Sequence, residues 1–277
     1  MDIVGATGER EISQRLVSGR ASHCFFFGVS ALLFAASAAA TIVCCVSMSA
    51  MGGMPMPGGW TMSKAWMRMC GQTWAGAAAS FVGMWVVMMA AMMLPSLVPM
   101  LSRYREAVGA AGERCVGWLT ALVGVGYFFV WTACGMAAFP VGVALAAAEM
   151  EMPPLARAVP AAAGVVVVIA GLLQFTAWKA RHLACCREAP ARGHTLPSDA
   201  AAAWRHGLRL GLHCSYSCAG FVAILLVIGV MDLRMMAGVT AAITVERLAP
   251  GGVRAARVIG GVVAGAGLLM IARAVAP

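Results

Sequence analysis

Two cysteines four residues apart, Cys214 and Cys218, lie in the segment GLRLGLHCSYSCAGF, and Gly207 and Gly211 extend the same helical face. Paired thiolates one helical turn apart are soft donors that suit Cu(I) or a related ion. A free buried cysteine is also an ordinary small hydrophobe, so the pair alone is equally compatible with packing. Glycines at this spacing let another helix approach closely, so the thiols should face protein rather than lipid. His213 is adjacent to Cys214 but points about 100° away around the helix.

A second sulfur set lies in MWVVMMAAMMLPSLVPM. Met84, Met88 and Met92 recur every four residues and form one ridge, with Met89 and Met93 on an adjoining ridge. Pro95 has no N–H for the carbonyl of Ala91, so the helix should loosen beside Met92 and Met93. Thioethers are soft metal ligands, and they are also the most adaptable packing groups, so this stripe too has two readings. Depth connects the sets. If the methionine helix runs inward and the cysteine helix runs outward, Met92, Met93, Cys214 and Cys218 share one level, where Gln174 and Glu246 can join them.

A third set occupies MSAMGGMPMPGGWTMSKAWMRMC, which presents Met48, Met51, Met54, Met56, Met62, Met67 and Met69 with Trp60, Trp66 and Cys70. With no periodic apolar face, its flexible thioethers suit transient capture of Cu(I), while the bland alternative is a loop resting in the headgroup layer. In KARHLACCRE, His182, Cys185 and Cys186 can exchange metal with the deeper cluster, although a reduced, unligated cysteine pair is ordinary in the cytosol. Cys44, Cys45 and Cys70 lie near the opposite face, where a disulfide is chemically possible.

The elements that must position these groups are transmembrane helices. Residues of the set AVILMFWYC make up 61% of the 277 positions and charged residues 11%, a profile that calls for the bilayer as solvent. Apolar runs long enough to cross about 30 Å of hydrocarbon read as Cys24–Ser47, Trp74–Leu101, Val116–Ala148, Val159–Trp178, Leu210–Met231, Leu233–Leu248 and Val258–Val275. The sixth is short for a full crossing and can be re-entrant. Of the 20 Lys and Arg residues, only Lys64, Arg68, Arg157, Arg234 and Arg273 fall on one side under this assignment, which places the other side in the cytoplasm. The expected architecture is an all-α polytopic bundle of about seven transmembrane helices, with its amino terminus inside and its carboxyl terminus outside. Residues 1–22 form a cytoplasmic segment and 23–277 one transmembrane domain, with a Met-rich outer loop at 48–73 and a basic inner loop at 179–206. Asp232 and Arg234 read as an outer turn.

The net charge of +9 is explained by the positive-inside bias, so nucleic acid is not an expected partner. There is no phosphate-binding loop, no catalytic histidine cluster, no nucleophile with a base, and no paired carboxylates within the spans, which argues against an enzyme or ATPase.

The blocks AMMLPSLVPMLSRY (91–104), LQFTAWKARHLACCR (173–187) and the cysteine helix with its continuation to Pro250 resemble a bacterial family described as predicted metal-binding integral membrane proteins. The resemblance implies a metal site built from Met92, Met93, Cys214 and Cys218, with Gln174, Lys179 and Glu246 as nearby polar positions. It implies a multi-pass protein of the bacterial cytoplasmic membrane and no established reaction. The outer methionine loop, more elaborate than the resemblance requires, favours copper among soft metals.

The expected function is therefore Cu(I) binding by a non-catalytic accessory protein. The metal residues are Met88, Met92, Met93, Cys214, Cys218, His213 and Glu246, with capture at the outer loop. Membrane lipids and other membrane subunits are the expected partners, with a copper-dependent membrane monooxygenase as the complex to look for. The alternative is a structural or assembly subunit of a membrane complex with no bound metal.

Overall fold

The computed structural model describes residues 3–50, 52–69, 71–110, 115–187 and 199–276, with backbone alone for residues 3–20 and Ala110. Met51, Cys70, Arg114 and Arg192 lie outside the described residues. The fold is an all-α polytopic bundle: α1 (Ile3–Ala50), α2 (Trp74–Ala110), α3 (Val116–Glu151), α4 (Pro153–Leu173), α5 (Ala177–Arg187), α6 (Ala200–Ile228), α7 (Leu233–Leu248) and α8 (Gly252–Val275). The strands β1 (Met54–Met56) and β2 (Trp60–Met62) form a hairpin between α1 and α2.

Six of these helices are long and apolar enough to cross a membrane: Ala21–Ala50 within α1, Trp74–Gly109 within α2, and α3, α4, α6 and α8. Large apolar side chains on their outer surfaces, among them Trp118, Phe129, Met136, Val258 and Val262, are each more than half exposed, as hydrocarbon-facing residues are. The sixth predicted span is α7. Its 16 residues reach about 24 Å at 1.5 Å per residue, short of the ~30 Å hydrocarbon layer. It begins at the turn after α6, and in its last turn Glu246 and Arg247 are buried while Leu248 is exposed.

Local chemistry explains where the helices start and stop. Gly229, at φ 146°, ends α6, and the Asp232 carboxylate caps α7 by accepting from the backbone N–H groups of Arg234 and Met235. The fourth predicted span is divided: α4 stops at Leu173, and the N–H groups of Gln174, Phe175 and Thr176 bond to carbonyls three residues back. The Thr176 hydroxyl then accepts from the Lys179 N–H and starts α5. The predicted loop Glu149–Arg157 contracts to Met152, because Pro153 and Pro154 suit the first turn of α4.

The predicted close approach at Gly207 and Gly211 is made by α3. A Cβ at Gly207 would collide with the backbone of Val123, and one at Gly211 would meet the Tyr127 carbonyl at 2.9 Å. A second seam joins α4 to α8, where Gly171 and Gly260 leave no room for side chains. The core between the helices holds Trp85, Met88, Met89, Met92, Met93, Tyr127, Cys214, Cys218 and Phe221.

Candidate metal centre

Met93 on α2 and Cys214 on α6 are both fully buried, and their sulfur atoms lie 3.9 Å apart. Cys218 is one turn beyond Cys214 on the same face and is also buried. From α3, the Tyr127 hydroxyl lies 2.9 Å from the Cys214 sulfur. The bare surface of Gly211 makes that contact possible, since it lets the α3 backbone rest against α6 three residues before Cys214. Ser217 completes the face, donating to the Cys214 carbonyl at 3.0 Å.

The short helix α7 brings charge to these sulfurs. Arg247, 5% exposed, donates through Nη2 to the sulfurs of Cys214 (2.8 Å) and Cys218 (3.4 Å) and to Ser217 Oγ (3.4 Å). Its Nη1 donates to Ser96 Oγ at 3.1 Å. Glu246, the preceding residue, is 2% exposed and forms an ion pair with Lys179 of α5, Nζ to Oε2 2.7 Å. Lys179 Nζ also donates to the Ser217 carbonyl at 2.5 Å and sits over the Phe221 ring. The other end of α5 grips the same turn of α7: Arg187 donates to the carbonyls of Glu246 (2.7 Å), Ala249 (2.6 Å) and Pro250 (3.3 Å). Two buried oxygens, Glu246 Oε1 and Gln174 Oε1, have no hydrogen-bond partner among the described residues.

Five helices thus contribute to one polar and sulfur-bearing cluster inside an apolar bundle. Met88 and Met92 are buried in the same core as the thiols. His213 is placed elsewhere, as its direction around α6 predicts. It meets His182 of α5, Nδ1 to Nδ1 3.0 Å, beside Trp178 and Tyr216 on the flank of the bundle. Burial, followed by the neighbouring His213, holds His182 below the usual histidine range. Cys185 is exposed, while Cys186 is buried and its thiol is pushed up by that burial.

Arg247, Tyr127, Ser96 and Ser217 were not legible as site residues. Arg247 and Lys179 stand among the basic residues on the cytoplasmic side of the sequence assignment, and both are buried. The available signal was an adjacent Glu-Arg pair at the end of an apolar segment short for a full crossing.

The outer methionines do not form a flexible array throughout. Met54 pairs with Met62 and Met56 with Trp60 across the hairpin, so all four share one face. Met56 and Met62 are buried against Ala146 and Ala156, and Trp60 Nε1 anchors the hairpin to the Ala156 carbonyl at 2.8 Å. Gly58 and Gly59, at φ 102° and 77°, make the turn. Met48, Met54 and Met67 are partly exposed, and Met69 is 47% exposed.

No group of three or more His, Cys, Asp or Glu side chains capable of holding a metal ion occurs among the described residues. Met93 supplies the thioether whose sulfur contacts that of Cys214. Residues 82–270 match the model of the PpoB2 copper chaperone family. The chain belongs to this family. The match to the copper chaperone family encloses every residue of the cluster from Met93 to Arg247, and the methionine hairpin precedes it. No curated protein matches the chain, and no solved structure does.

Proposed function

We propose that this copper chaperone family member holds Cu(I) within its helical bundle, with Cys214, Cys218 and Met93 as the sulfur ligands. The 3.9 Å contact between the Cys214 and Met93 sulfurs, made in a buried core between two helices, carries this reading. Thiolate and thioether donors together select Cu(I) over harder ions, and a buried site shields the ion from water. Met88 and Met92 are further thioethers in the same buried core. The partly exposed Met48, Met54, Met67 and Met69 capture the ion on the face opposite the amino terminus, which lies in the cytoplasm. Burial of Met56 and Met62 favours a packing role for those two. The recipient is a copper enzyme of the same membrane, a copper-dependent oxygenase being the type that requires both metal supply and a lateral partner.

Metal analysis of the full chain in mild detergent, supplied with Cu(I) under reducing conditions, tests this. About one tightly held copper per chain, lost from a Cys214→Ser, Cys218→Ser variant and retained by Cys185→Ser, is the expected result. Copper retention that does not depend on Cys214 and Cys218 overturns it.

A further inference from the structure

The charges around the thiols do not cancel by themselves. Lys179 and Glu246 neutralise one another at 2.7 Å. Arg247, which stays protonated under all ordinary conditions, has no carboxylate within salt-bridge distance among the described residues. Its donors end on two hydroxyls and two cysteine sulfurs. A buried cation without a counter-charge is costly, and the sulfurs are the groups placed to supply one.

We infer that Arg247 sets the charge of the cargo, making the Cys214–Cys218 pair a site for a monovalent soft ion and a poor one for a divalent ion. This deepens the Cu(I) reading and rests on it. Two thiolates around a monovalent ion carry one net negative charge, which the guanidinium cancels at 2.8 and 3.4 Å. Two thiolates around Zn(II) or Cd(II) are already neutral, and Arg247 is then an uncompensated cation beside a divalent one. In surroundings of effective dielectric about 20, one excess charge at a few ångströms shifts relative affinity by roughly a hundredfold or more. A sulfur that ligates a metal keeps lone pairs, so the N–H···S contacts persist as outer-shell hydrogen bonds in the loaded site. The planar fork matters as well: Nη1 reaches Ser96 on α2 while Nη2 reaches α6, which fixes the charge against both sulfur-bearing helices.

The test compares Ag(I), a monovalent thiophilic probe, with Cd(II) in direct competition on the full chain in detergent. Bound metal and cadmium–thiolate absorbance are the readouts. Arg247→Gln is expected to shift the Ag(I)-to-Cd(II) affinity ratio roughly a hundredfold toward Cd(II), whereas Arg247→Lys shifts it by a few-fold at most. Arg247→Met is measured in parallel, so that a folding failure of one neutral variant leaves the comparison intact. Equal loss of both metals in the folded neutral variants, with the ratio unchanged, overturns the inference and leaves the Cu(I) site standing. Ag(I) binding that is indifferent to Cys214→Ser and Cys218→Ser overturns the underlying reading, and the inference with it.

Discussion

Cys214 Sγ lies 3.9 Å from Met93 Sδ, although 121 positions separate the two residues in the chain. The contact joins the middle of α2 to the middle of α6, and both partners are completely buried. A thioether contributes there either as a donor or as filling, and a substitution can separate the two. Met93→Leu conserves volume closely enough that stability should fall by less than about 1.5 kcal/mol. Cu(I) affinity should fall at least tenfold if the sulfur is a ligand. Competition with a calibrated Cu(I) chelator, alongside a thermal melt of the same preparation, measures both; unchanged affinity would show that Met93 only packs.

The Lys179–Glu246 pair makes a different prediction. Removing one partner leaves the other charged and buried, at a cost of about 3 to 5 kcal/mol. Lys179→Met and Glu246→Leu should each lower the melting temperature sharply. The double variant should recover a large part of the loss, because no orphan charge remains. A double-mutant cycle in detergent measures the coupling, and additive losses would mean that the pair is not what holds these groups.

At the α3–α6 seam, the backbone of Val123 fills the space where a Gly207 side chain would stand. Gly207→Val should therefore push the helices apart and reduce folded yield severely. Gly261, which faces open space on α8, should accept Val with little change. Size-exclusion profiles of the two variants, expressed side by side, decide this, and equal yields would contradict the packing described.

His182 provides a pH prediction. Its folded-state value lies below the ordinary 6.5, so the unfolded chain takes up a proton before the folded one does. Neutral His182 therefore contributes stability that is fully present above about pH 6.5 and declines as pH falls through the lowered value. His182→Gln should flatten that decline. Melting curves from pH 7.5 to 5 for wild type and variant measure it; parallel curves would place the pH dependence elsewhere.

The helical bundle was legible because long apolar runs have few solutions in a bilayer, and the facing of Cys214 and Cys218 was legible because Gly207 and Gly211 share their side of the helix. The direction of His213 followed from the same rotation. The contact of Arg247 with the thiols was not legible, because a charge at the end of an apolar run resembles an interfacial residue until the packing of α7 against α2 and α6 is known. The hairpin was hidden as well, since two three-residue strands are too brief for alternation to register, and what buries Met56 and Met62 is the distant pair Ala146 and Ala156.

Helix α5 holds the last turn of α7 at two points, through Lys179 on the Glu246 carboxylate and through Arg187 on the carbonyls that follow. This double grip makes an 11-residue segment a rigid bracket for the guanidinium. The alignment of Arg247 with the thiols is thus set partly by Lys179 and Arg187, whose own hydrogen bonds end on oxygen, and wear at either end of the bracket is felt at its centre.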